Sequence, residues 1–118
     1  MAKRINIKEY STKLFEKTVT FEAWLDNRVI GLVSAYFNDA NNAKAYITDV
    51  SVKEKYNQMG IASNLMNMCI EYAKRNNYKM VELEVHKDNV AAIKLYNRYG
   101  FVQYDSKNDN LLMRLSEI

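Results

Sequence analysis

The sequence predicts an α/β fold on a mixed β-sheet, and three observations carry that expectation. "TVTFEAWLDNRVIGLVSAYF" alternates apolar and polar residues on either side of Asp26-Asn27, as a β-hairpin does. Two further alternating stretches, "KAYITDVSV" and "KMVELEV", are separated by a run with helical apolar spacing, so they form a strand, crossover helix and parallel strand. A second helical run ends at Gly100 and leads into "FVQY" and "LLMRL", which read as two closing strands.

Each element follows from the local chemistry. From Asn6 to Thr18, Ile7, Tyr10, Leu14 and Phe15 recur at helical spacing, and the expectation is a helix. The hairpin comes next, with "NDANNA" as the loop after it. Residues 44–52 carry the β-branched Ile47, Thr48, Val50 and Val52 and form the third strand. After Gly60, Ile61, Leu65, Met68 and Tyr72 make one stripe and Ala62, Met66, Cys69 and Ala73 the next, giving a helix apolar over a wide arc. Asn76-Asn77 can end it, because asparagine tolerates the left-handed conformation. Val81, Leu83 and Val85 then alternate with Met80, Glu82 and Glu84 in the fourth strand. Asp88 or Asn89 caps the second helix.

Composition bounds the function. At 118 residues, 48% of them hydrophobic, with no proline, repeat or linker, the chain reads as a single domain over 1–118 with a modest core. Cys69 is the only cysteine and lies in an apolar helical run, so no disulfide framework forms and the thiol is a core group. No stretch reads as a signal segment or a membrane span, which makes a cytoplasmic protein without a membrane partner the expectation. A net charge of +3, with basic and acidic residues interspersed, gives no nucleic-acid tail. No group of His, Cys and carboxylate has metal-ligand spacing, so no metal is expected.

Gly60 lies between a strand end and a helix start. Unpaired N–H groups and the positive end of the dipole attract anions at such a start, and a glycine lets the backbone come close. An ordinary turn would use the same residue. "YNQMGIASNLM" together with "LEVHKDNVAAIKLYNRYGF" resembles the GNAT superfamily of acyl-CoA-dependent N-acetyltransferases. Gly60 and Ala62 match that family's loop. Asn89, Ala92, Leu95, Tyr96, Gly100 and Phe101 match its second motif at every spacing. Asn57 stands where the family usually has Gln or Arg, and Gln58 where many members have Gly. The resemblance covers roughly residues 20 to 115.

The resemblance implies a GNAT-like α/β mixed sheet with helices on both faces. It also implies that the family's usual first strand and helix are lacking, since only five residues precede the segment read as a helix, and a homodimer partner could supply the missing wall. It implies acetyl-CoA as cosubstrate, its pantetheine arm on the backbone of Val50, Ser51 and Val52, and its pyrophosphate on the loop Asn57, Gln58, Met59, Gly60, Ile61 and Ala62, with Asn89 and Tyr96 on the other side. A primary amine, either a small molecule or a protein N-terminus, would attack the thioester directly. Tyr96 is then the general acid, against a competing reading as a core aromatic, and the Val50 N–H receives the oxyanion. Glu84 is favoured as base and Asp49 is its rival. A solvated strand-face carboxylate is the alternative for both, and His86 is a weaker third candidate. A non-catalytic module that holds CoA or a protein partner is the alternative to an enzyme.

Overall fold

The computed structural model describes residues 5–13, 17–39 and 43–118. They form one seven-stranded sheet in the order β1-β2-β3-β4-β5-β7-β6 with two α-helices. The strands are β1 (Asn6–Lys13), β2 (Lys17–Leu25), β3 (Arg28–Asp39), β4 (Lys44–Val52), β5 (Met80–His86), β6 (Val102–Lys107) and β7 (Asn110–Ser116). The helices are α1 (Ile61–Arg75) and α2 (Val90–Arg98), and a 3₁₀ turn at Glu54–Tyr56 precedes α1.

The hairpin is formed by β2 and β3, and Asp26 and Asn27 both adopt positive φ, 51° and 60°, as a two-residue primed turn requires. β4 and β5 are parallel, and every other neighbouring pair is antiparallel. The sheet is therefore mixed, as expected. The closing strands extend further than anticipated: most of "DSKNDN" is paired, and the connection shrinks to Asn108-Asp109, with Asn108 at φ 55°.

The helix expected over residues 6–18 is corrected. Asn6–Lys13 is an edge strand, paired antiparallel with β2 from Asn6↔Trp24 to Lys13↔Lys17. Its helical spacing depended on Leu14 and Phe15, which lie outside the described residues. Within 5–8, burial alternates instead, with Ile5 and Ile7 half-buried against the core and Asn6 and Lys8 exposed. The partner strand thus overrides a weak local pattern.

Both helices among the described residues lie against one face of the sheet. Phe21 and Phe37 pack edge-on to Tyr72 of α1 at 5.9 and 4.8 Å. The Tyr99 hydroxyl after α2 donates to the Ser63 carbonyl of α1 at 2.6 Å. Two successive right-handed crossovers, β4 to β5 and β5 to β6, run the same way across the sheet and so place their helices on the same side. With residues 6–13 in the sheet, no helix among the described residues covers the other face. Gly31 allows α1 to sit close, because a Cβ there would meet Ile61 Cγ2 at 2.8 Å. That contact seats the first turn of α1 on β3, where Lys53 N–H donates to the Ile30 carbonyl at 2.9 Å.

Candidate active site

The site begins with an irregularity in β4. Ser34 pairs with Asp49 and Ala35 with Ile47, which leaves Thr48 as an extra residue, and its hydroxyl donates to the Ser34 carbonyl at 3.2 Å. Such a bulge bends a strand and sharpens its twist. The parallel pairing of β4 with β5 stops at the same level, with Ile47↔Leu83 as its last pair. Beyond it β4 runs on to Val52 and β5 to His86 without bonding to each other. The strands diverge, and the β5-facing edge of β4 at Val50, Ser51 and Val52 has no strand partner among the described residues.

Two cavities open at this split. The larger, about 470 Å³, is lined by Val50, Ser51 and Val52, by the loop and first turn of α1, and by one side of α2. Asn57, Gln58, Gly60, Ile61, Ala62, Asn89 and Tyr96 all line it. Met59 does not, and its side chain is exposed. Gln58 and Gly60 have φ of 68° and 76°, and the first intrahelical bond of α1 runs from Asn64 N–H to the Gly60 carbonyl at 3.0 Å. The helix start is thus turned toward the cleft with its leading N–H groups ahead of that bond, a geometry suited to an anion. A Cβ at Gly60 would meet nothing within 4 Å, so the positive φ, and not crowding, calls for glycine.

The smaller cavity, about 220 Å³, holds Asp49, Glu84 and His86 together with Val50, Asn89 and Tyr96. Val50, Asn89 and Tyr96 line both cavities and form the passage between them. By register, Asp49 pairs with Ser34 and Glu84 with Leu112, on the sheet face that no described helix covers. Tyr96 reaches the same opening from the helix side. Burial, and secondarily the Asp49 carboxylate, push the Tyr96 phenol up to about 12, so it is a neutral O–H donor near neutral pH.

A family model described as "Acetyltransferase (GNAT) family" matches residues 3–101. The chain belongs to the GNAT family. It is 30% identical over 87 residues to streptothricin acetyltransferase A of Bacillus subtilis, covering 74% of this chain and 49% of that one. It spans about half, or less, of the length of this and other curated relatives it matches. Among solved structures, a Bacillus anthracis streptothricin acetyltransferase candidate in complex with acetyl coenzyme A superposes with TM-score 0.71 at 29% identity, covering 86% of this chain and 64% of that one. The PaiA N-acetyltransferase of Thermoplasma acidophilum, in complex with coenzyme A, shares the fold with TM-score 0.76 at 20% identity, over 84% and 60% of the two chains.

The second GNAT motif has a direct geometric reason here. Gly100, at φ 97°, reverses the chain after α2, with its N–H on the Asn97 carbonyl at 3.0 Å and the Phe101 N–H on the Tyr96 carbonyl at 3.0 Å. Phe101 returns to pack its ring 5.9 Å from that of Tyr96. The spacing from tyrosine to glycine to phenylalanine thus holds the phenol in place. Asn89 is the cap of α2: its Oδ1 accepts the Ala92 N–H at 3.2 Å, which leaves its amide group as the donor toward the cleft.

The other GNAT candidates differ in how they are held. The Asn110 amide donates to the Glu84 carboxylate across the strand pair and fixes its position. His86 is half exposed, and its Nδ1 accepts the Asp88 N–H at 3.1 Å, so it shapes the turn into α2. Cys69 is fully buried, and burial pushes its thiol up to about 12. Among the described residues no group of three His, Cys, Asp or Glu could hold a metal ion, and no helix is long and apolar enough to cross a membrane. Sequence reasoning gave no site role to Asn110, or to six residues that line the larger cleft: Tyr56, Ser63, Ala92, Ala91, Leu95 and Arg98. The spacing of the last three, i, i+4 and i+7 on α2, was the available signal.

Proposed function

We propose that this GNAT chain transfers an acetyl group from acetyl-CoA to a primary amine. One observation carries the reading: the β4–β5 opening joins an anion-suited helix start on one side to a buried phenol and two carboxylates on the other. The relatives' acetyltransferase names and the acetyl coenzyme A bound in the Bacillus anthracis structure support the same cofactor here.

On this reading the N–H groups of Gln58 to Ala62 bind the pyrophosphate, and the free edge of β4 at Val50, Ser51 and Val52 pairs with the amides of the pantetheine arm. The acetyl thioester supplies the activated acyl group. The amine enters from the open sheet face, where Glu84 or Asp49 takes its proton, directly or through water. Its nitrogen bonds to the thioester carbonyl carbon while the Val50 N–H receives the carbonyl oxygen. The C–S bond breaks, and Tyr96 gives its proton to the departing sulfur. A small amine and a protein N-terminus both fit an approach from the open face.

Incubation with acetyl-CoA and a panel of amines, following thiol release and the mass of the products, tests the proposal. An amine-dependent release with a gain of one acetyl group is the expected result. CoA binding by calorimetry with no thioester consumption for any amine would instead leave a non-catalytic CoA-binding module. Failure to bind CoA at all would remove the cofactor reading.

A further inference from the structure

Among the described residues Arg98 is the only charged one lining the larger cleft, although charged residues make up 26% of the chain. It is exposed at the last position of α2 and forms no ion pair among the described residues. Its neighbour fixes where it stands. The Tyr99 hydroxyl on the Ser63 carbonyl clamps the end of α2 against the first turn of α1, so Arg98 is held at the rim beside the Gln58–Ala62 loop. Tyr96, two residues earlier, faces the β4–β5 opening. The cleft therefore has a reactive end at Tyr96 and a cationic rim at Arg98.

We propose that Arg98 recognises the ribose 3′-phosphate at the nucleotide end of the cofactor. The inference rests on the CoA reading above and deepens it. The loop N–H groups are assigned to the pyrophosphate, which leaves one further phosphate dianion on the ligand and one unpaired guanidinium on the cleft. A guanidinium suits that partner, because its planar fork can give two parallel N–H donors to phosphate oxygens. The 3′-phosphate takes no part in acyl transfer, so Arg98 acts in binding and selection.

The test compares CoA with 3′-dephospho-CoA on the parent and on Arg98→Gln, by calorimetry at fixed ionic strength. The parent should bind CoA roughly ten- to a hundredfold more tightly than the dephospho form, the usual worth of a hydrogen bond between charged groups. Arg98→Gln should lose that preference by weakening CoA alone. Arg98→Lys should retain part of it. Because Arg98 is exposed and unpaired, the melting temperature should barely move. Equal binding of both ligands by the parent, or equal weakening of both by Arg98→Gln, would overturn this assignment and leave the CoA reading standing. A parent that binds neither ligand would overturn both.

Discussion

On the proposed reading Tyr96 is the general acid, and its surroundings separate that role from a packing one. It is 5% exposed, yet it lines both cavities. Tyr96→Phe preserves the ring and its contact with Phe101 and removes only the hydroxyl. If the phenol is the acid, turnover at saturating acetyl-CoA should fall by roughly ten- to a thousandfold, with CoA affinity unchanged. A Phe variant as fast as the parent would reduce Tyr96 to a packing residue. The pH dependence has a definite sign. With the folded phenol at about 12 against an ordinary 10.0, the acid stays protonated through the usual assay range, so its loss should not limit turnover below about pH 10. The same shift favours the neutral form in the folded state. Its stability contribution is complete below pH 10 and is lost as pH rises from there toward about 12, a loss the Phe variant should not share.

At the scale of elements, the bulge at Thr48 opens the sheet. Ile47 lies in the core and Asp49 pairs with Ser34, so removing Thr48 would restore plain alternation without moving the residues on either side to the wrong face. A chain lacking Thr48 should therefore fold, with β4 straighter and its pairing to β5 extended past Ile47↔Leu83. CoA binding should weaken by at least roughly tenfold, about 1.4 kcal/mol, because the free edge at Val50 to Val52 would then be closed. Calorimetry with thermal unfolding checks this. An unchanged affinity in the folded deletion protein would mean that the bulge does not make the opening. The companion device is Gly31, whose missing side chain lets the first turn of α1 reach the sheet and sets the level of the Gly60 loop.

Across the whole molecule, one mostly polar row crosses the open sheet face. Tyr36, Tyr46, Glu82, Arg114 and Val102 are register partners on β3, β4, β5, β7 and β6. Glu82 is 5% exposed although no described helix covers it, because its neighbours do. Arg114 donates to it through Nε at 2.6 Å and stacks over Tyr104 at 3.9 Å, and Lys44 Nζ lies 3.5 Å from its other oxygen. Arg114→Met keeps the bulk and leaves the carboxylate with only Lys44 and the Tyr104 hydroxyl. The variant should lose about 2 kcal/mol, less than for a fully enclosed pair because Arg114 is partly solvated. Urea unfolding measures it, and a loss below about 0.5 kcal/mol would show that water screens the pair.

Sequence alone determined most of the elements and, with the family resemblance, named most of the residues that line the candidate cleft. Asp26-Asn27, Asn76-Asn77, Asn89 and Gly100 mark turns and helix ends through backbone chemistry that acts within a few residues, and all are used as expected. The loop at Gly60 and the spacing from Asn89 to Phe101 were legible through their resemblance to the GNAT motifs. Segment 6–13 was not, because an edge strand buries little of its own surface and takes its conformation from the hydrogen bonds of β2, far along the chain. Nor could alternation reveal the bulge at Thr48, the convergence of Asp49, Glu84 and Tyr96 from opposite faces of the sheet, the clamp of Tyr99 on Ser63, or the cationic rim at Arg98. Each of these joins residues from different elements, and only the packing of α1 and α2 on one face, with β4 and β5 parting beneath them, brings such residues together.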